Sequence, residues 1–177
     1  MFQAFNQALI ALIKTDGRLK QISRGEMLLR EGEAEQHIYL IETGTVRVFL
    51  LSACEEMTIR FGYEGSIVNS LSSFITGKPS ELYIEAIRKT SLRMISKSQF
   101  SELVYRTPEN MKGYISLMEL LVTQQIEREI DLLTISPTVR LQRVLERSPN
   151  LFQQVPLKYI ASYLRMTPET LSRIRNP

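Results

Sequence analysis

The sequence is poor in the residues that most often carry chemistry. It has one cysteine, Cys54, and one histidine, His37. A single thiol forms neither an internal disulfide nor a multi-cysteine metal or iron–sulfur site, which fits a reducing cytoplasm. One His beside one Cys leaves metal catalysis almost without ligands. No Ser/His/Asp or Cys/His set, no paired-acid motif and no phosphate-cradling glycine loop stands out, so an enzyme is not expected. No apolar run approaches the roughly 18 residues that a membrane span needs. Ala8–Ile13 is apolar but short, and no small-residue cleavage site follows it, so neither a membrane anchor nor a secretory signal is expected.

What is present is enough to fold. The chain has 177 residues, 44% hydrophobic and 23% charged, which allows one large domain or two small ones around a buried core. Its net charge is +3, but unevenly placed. Residues 1–136 carry 15 Lys/Arg against 17 Asp/Glu, whereas residues 137–177 carry seven basic residues against Glu146 and Glu169. An acidic body with a basic end points to a nucleic-acid or other polyanion partner for that end; an unevenly charged soluble surface is the plainer alternative.

Apolar spacing changes twice along the chain. Phe2, Phe5, Leu9, Ile10, Leu12 and Ile13 recur at helical spacing up to Asp16-Gly17. Short apolar runs then alternate with turn signals: Met27–Leu29, His37–Ile41, Val46–Leu51, Met57–Phe61, Leu82–Ile87 and Leu92–Ile95. Such a series predicts a barrel or double-sheet roll, with Leu71–Ile75 a brief helical insertion closed by Gly77-Lys78-Pro79. Helical spacing returns at Lys97–Tyr105. Thr107-Pro108-Glu109 starts a long helix that runs to about Leu133. Its apolar stripe includes Met111, Tyr114, Met118, Leu121, Val122, Ile126, Ile130 and Leu133, and predicts pairing with a second copy of the chain, with Gln125 fixing the register. Packing of that stripe on the chain's own roll is the alternative. Ser136-Pro137 breaks the helix. Thr138–Arg147 is helical, with Val139, Leu141, Val144 and Leu145 expected inward.

The strongest local signal is the last segment. Val155–Leu164 and Thr167–Arg175 read as helices separated by Arg165-Met166 alone, the pattern of a helix-turn-helix. Ala161 is small enough for the crossing, and Ile160, Leu164, Met166, Leu171 and Ile174 supply apolar contacts. Thr167 suits the N-cap and Pro168 the first helical position. The outward face of the second helix is Pro168, Glu169, Thr170, Ser172 and Arg173. Arg173 can bond guanine edges and Glu169 can accept from cytosine. Thr170 and Ser172 can bond phosphates, and Lys158, Arg165 and Arg175 can neutralise them. A plain helical hairpin with a solvated charged face is the competing reading.

These residues together resemble the cyclic-AMP receptor protein (Crp/Fnr) family of bacterial regulators. Gly32-Glu33-Ala34, Ile38–Ile41 and Gly44-Thr45-Val46 are similar to its cyclic-nucleotide-binding signature. Glu169-Thr170-Leu171-Ser172-Arg173 is similar to its recognition helix, in which the residues matching Glu169 and Arg173 read bases. The tail resembles a compact branch common in Bacteroidetes. The resemblance implies an α+β chain: a cyclic-nucleotide-binding-type β-roll sensor (residues 1–106), a dimerisation helix (107–135, with Tyr114, Met118, Leu121, Val122 and Gln125 at the pairing face) and a helix-turn-helix (136–177), winged-helix-like but with no wing after it. The implied partners are double-stranded DNA and a second copy, with RNA polymerase a further candidate; the operator is an inverted repeat.

The resemblance also exposes departures. Asn69, Ser70 and Leu71, with Ser80 and Glu81, stand at the effector pocket, where the family has a ribose-binding acid and a phosphate-binding arginine. Both are missing, and Glu81 repels a phosphate. Cyclic AMP is therefore not expected to bind in the usual way, and the effector is left unidentified; Lys78 is a fallback anion site, more simply read as solvated. Arg165 takes a glycine position and is expected to need positive φ. Haem would have to rely on Cys54 or on His37, which reads as structural. A ligand-sensing roll whose DNA end has lost function is the competing expectation.

Overall fold

The computed structural model describes residues 2–53 and 55–175; Cys54 and the Asn176-Pro177 end lie outside the described residues. The strands are β1 (Arg18–Ile22), β2 (Met27–Leu29), β3 (His37–Thr43), β4 (Thr45–Ser52), β5 (Glu55–Tyr63), β6 (Ile67–Val68), β7 (Tyr83–Ala86) and β8 (Thr90–Ser96). They form two antiparallel sheets, ordered β1-β8-β3-β6 and β2-β7-β4-β5. Ile22, Tyr39, Ile41, Leu92 and Met94 of the first sheet share one core with Leu29, Val46, Val48, Ile84 and Ala86 of the second. Alternate residues of β3 point the other way, so Ile38 and Leu40 are buried against helices. The β3–β4 turn requires its glycine: Gly44 has φ +91°, and a Cβ there would lie 2.3 Å from the Lys89 carbonyl oxygen.

The outer layer consists of α1 (Phe2–Asp16), α3 (Lys97–Tyr105) and the first half of α4 (Pro108–Leu133). Phe5 meets Phe100 at 6.3 Å between ring centroids, and Phe100 meets Tyr114 at 5.7 Å. Between β6 and β7 lies α2 (Leu71–Thr76), closed by Gly77 in the left-handed region. The long helix starts where the capping signal places it, with the Thr107 hydroxyl accepting from the Asn110 N–H at 3.1 Å.

The chain then continues through α5 (Pro137–Arg147), α6 (Leu151–Gln154), α7 (Leu157–Tyr163) and α8 (Pro168–Arg175). Leu141, Val144, Leu151, Val155, Ile160, Ala161, Leu164 and Leu171 form a separate buried cluster, which Ile87 and Phe61 of the roll also join.

Several expectations need correction. Tyr114 does not sit on an exposed pairing face: its ring is part of the Phe5–Phe100 core. The apolar arc of α4 spans roughly half its circumference, too wide for one contact. One edge (Met111, Tyr114, Leu117) packs on the chain's own helices, while Ile115, Val122, Ile126, Ile130 and Leu133 remain exposed. Val139 is 46% exposed, so it does not face inward as expected. The polar strand β1 carries no apolar alternation, and only Ile22 of its five residues is buried; it, β6 and α6 were not anticipated.

Candidate nucleic-acid interface

The corner between α7 and α8 is a left-handed helix stop. The Met166 N–H donates to the Ala161 carbonyl at 3.1 Å and the Arg165 N–H to the Ser162 carbonyl at 3.2 Å. This is the Schellman pattern, with Arg165 at the position that favours glycine; its φ is +52°. The inward residues are placed as the spacing predicts: Ile160, Leu164 and Leu171 are fully buried, with Met166 and Ile174 packed beside them. The Thr167 hydroxyl accepts from the Thr170 N–H at 3.2 Å and starts α8.

The opposite face of α8 is free. Pro168, Glu169, Ser172 and Arg173 share one exposed surface. Arg165, Thr167 and Arg175 are exposed, and Thr170 is half-buried. Lys158 lies over the Tyr159 ring at 4.6 Å and Arg175 over the Phe152 ring at 4.7 Å. The Glu169 carboxyl is held below the usual carboxylate range by its own backbone N–H and by the Thr167 hydroxyl. It therefore stays an acceptor at neutral pH. The surface combines a bidentate donor, an ionised acceptor, a hydroxyl and peripheral cations, the groups needed to bond base edges and phosphates.

Buried ion pairs and carbonyl contacts hold this surface in place. Arg47 of β4, 2% exposed, lies between the rings of Phe49 (4.1 Å) and Tyr159 (4.3 Å) and pairs with Glu85 at 2.6 Å and Glu56 at 2.5 Å. Ser162 of α7 donates to the Glu56 carbonyl at 2.8 Å and accepts from the Thr58 N–H at 3.0 Å. The fully buried Asp131 of α4 pairs with Arg143 at 2.8 Å and with Arg147. Arg128 stacks on Tyr163 at 3.6 Å and donates to its carbonyl. Sequence reasoning missed these residues; an arginine in a strand and an aspartate in an apolar helix stretch were the available signals.

The roll segment expected to hold an effector is closed on itself. The Ser70 and Ser80 hydroxyls are buried and bond each other at 2.8 Å. Ser80 also donates to the Leu82 carbonyl and accepts its N–H. Glu35, 1% exposed, accepts from the His37 N–H at 2.9 Å, the Tyr39 hydroxyl at 3.0 Å and the Ser70 N–H at 3.4 Å. Burial pushes its carboxyl above the ordinary value despite these bonds. Glu81 and Lys78 are exposed, and Asn69 and Leu71 half-buried. His37 is half-buried, and burial together with Arg18 and Lys20 lowers its pKa. Among the described residues no cluster of three His, Cys, Asp or Glu could hold a metal ion, and no helix is long and apolar enough to cross a membrane.

Residues 19–107 match the model of the cyclic nucleotide-binding domain family. The chain belongs to that family. Its fold is shared with several solved structures over nearly the whole chain. FixK2 of Bradyrhizobium japonicum superposes with a TM-score of 0.77 at 21% identity, covering 90% of this chain and 82% of that one. A CooA variant from Carboxydothermus hydrogenoformans gives 0.73 at 18% identity, covering 94% and 77%. The catabolite activator protein of Thermus thermophilus gives 0.58 at 20% identity, covering 94% and 80%. In sequence, patatin-like phospholipase domain-containing protein 7 of mouse is 25% identical over 123 residues, covering 64% of this chain and 9% of that protein. The chain thus spans less than a tenth of the length of the curated relatives it matches.

Beside the expected pocket, open space lies between this cyclic nucleotide-binding domain and the helices that flank it. A cleft of about 800 Å³ runs between the roll (Phe61, Asn69, Leu71), α4 (Met118, Leu121, Gln125) and Arg147 of α5. It includes Asn69 and Leu71 but not Ser70, Ser80 or Glu81. Met118 and Leu121 are therefore half-buried walls of this cleft, whereas Val122 is 59% exposed on the outer stripe.

Proposed function

We propose that the chain is a sequence-specific DNA-binding transcriptional regulator of the cytoplasm, working as a homodimer on an inverted-repeat operator. Residues 1–106 form its sensor, 107–135 its pairing helix and 136–177 its DNA-reading unit. The observation that carries this reading is the exposed face of α8, where Glu169, Ser172 and Arg173 share one surface while Leu171 is buried behind them. Two such faces reach successive major grooves when they are spaced by about 34 Å, one turn of DNA. The exposed stripe Ile115, Val122, Ile126, Ile130 and Leu133 supports pairing of α4 with a second copy.

The sensor does not take cyclic AMP in the usual way. The buried hydroxyls of Ser70 and Ser80 are spent on each other, and neither serine has an arginine next to it in sequence to meet a phosphate. Calorimetry with cyclic AMP gives no heat of binding; micromolar affinity overturns this part. The reading as a whole is tested by gel shifts on a random-sequence DNA pool. The wild type enriches an inverted repeat. Arg173→Ala loses about 1–3 kcal/mol of discrimination, concentrated at one base position. A ligand-sensing module without DNA reading, which the cleft beside α4 favours, enriches nothing.

A further inference from the structure

One buried guanidinium joins the end of the long helix to the helix-turn-helix corner. Arg140 of α5 is 9% exposed. Its Nε and Nη2 donate to the Thr134 carbonyl at 3.1 and 2.7 Å, and its Nη1 donates to the carbonyls of Leu164 at 2.6 Å and Arg165 at 3.2 Å. Thr134 is the C-cap residue of α4 and Leu164 that of α7. Carbonyls at a helix end lack intrahelical partners and carry the negative end of the dipole. One cation thus serves two helix ends that are far apart in sequence. Among the described residues Arg140 forms no ion pair, and the nearby buried Asp131 is taken by Arg143 and Arg147. A buried cation without a counter-ion is a poor source of stability. A planar fork of fixed geometry is what an arginine, and not a lysine, supplies there.

We infer that Arg140 is a positioning residue that passes the direction of α4 to α8. It locks the break between α4 and α5 to the left-handed turn from which α8 departs, so that a change in how α4 lies moves the reading face as one piece. Its functional meaning rests on the DNA-reading proposal; the lock itself rests on geometry alone.

The test uses the full chain with Arg140→Gln and Arg140→Lys, in two arms. The first is amide hydrogen exchange without DNA. The Thr134, Arg165 and Met166 amides exchange about tenfold faster in both variants, while β3 and β8 stay protected. No change there, or a uniform rise through the whole C-terminal cluster, overturns the lock. The second arm uses the half-site that the wild type enriches, presented singly and as pairs at varied spacing. Affinity for a single half-site stays within about threefold, while the preference among spacings drops from about tenfold or more to under about threefold. Persistence of the spacing preference, or equal loss on single and paired sites, overturns the positioning role. A wild type that enriches no sequence sinks the DNA reading, and the exchange arm still judges the lock.

Discussion

Arg165 holds a backbone conformation that costs an L-residue about 1–2 kcal/mol, at a corner where glycine would be at ease. Its exposure at the end of the corner gives that strain a purpose if the side chain meets a phosphate. Arg165→Gly relieves the strain but adds about 0.5–1 kcal/mol of freedom to the unfolded chain, so thermal melts show a net gain of about 0.5–1 kcal/mol. The same variant binds DNA less tightly, and the slope of log K against log salt becomes shallower by about 0.9. A stabilised variant with an unchanged slope removes Arg165 from the interface. Glu35 makes a second prediction. Its folded-state pKa is raised by burial above the ordinary 4.5, so its protonated form is favoured by folding. Its contribution is present in full below the unfolded value and is lost as pH rises through the folded one. Compared with Glu35→Gln, the wild type therefore gains stability as pH falls from 7 towards 5; paired denaturant melts at the two pH values check the sign.

The long helix shows what periodicity reveals and what it hides. Its start at Thr107-Pro108 and its end near Leu133 are local chemistry, a hydroxyl cap and a proline break, and both could be read directly. The same holds for α8 and for the inward set Ile160, Leu164 and Leu171, whose offsets need no partner to interpret. Spacing could not say which edge of a half-circumference stripe faces home, because that depends on α1 and α3 arriving beside Tyr114. Nor could it reveal the roles of Asp131, Arg140 or Arg47, whose partners include residues on other elements at no helical or strand spacing from them. An effector pocket is expected at Asn69, Ser70, Leu71, Ser80 and Glu81, but Ser70 and Ser80 bond each other, a fact of three-dimensional contact that spacing does not carry. For α4 the outer edge gives the prediction. In a symmetric pair one substitution acts twice. Val122→Asp buries two unpaired carboxylates, weakening association by about 3 kcal/mol or more, roughly a hundredfold in dissociation constant. Sedimentation equilibrium then shows monomer at concentrations where the wild type is dimer; an unchanged dimer means that the copies pair elsewhere.

The β-roll and the α5–α8 helices share a core, and this bears on how movement can pass between them. Ile87 is 3% exposed in the same cluster as Leu141, Ile160 and Leu171, and Phe61 meets Tyr163 at 5.4 Å between ring centroids. Arg47, Ser162 and the Thr45–Gln154 bond add polar ties across the same boundary. A roll joined to the corner only through α4 would melt separately from it; shared packing makes the two unfold together. Differential scanning calorimetry of the wild type should give one transition whose calorimetric and van't Hoff enthalpies agree. Ile87→Ala removes a side chain from the shared cluster and lowers stability by about 2–5 kcal/mol. If the contact couples the two parts, the variant's melt also broadens or splits, because the roll retains its own sheet core around Ile41, Val46 and Leu92. Two separate transitions already in the wild type would mean that movement of the roll reaches α8 through the helix alone. Arg140, with the Asp131 and Arg128 contacts of α4, would then carry that movement, and Arg47→Met would leave DNA affinity untouched; with coupled transitions, Arg47→Met shifts that affinity although Arg47 lies on the roll, away from the proposed reading face.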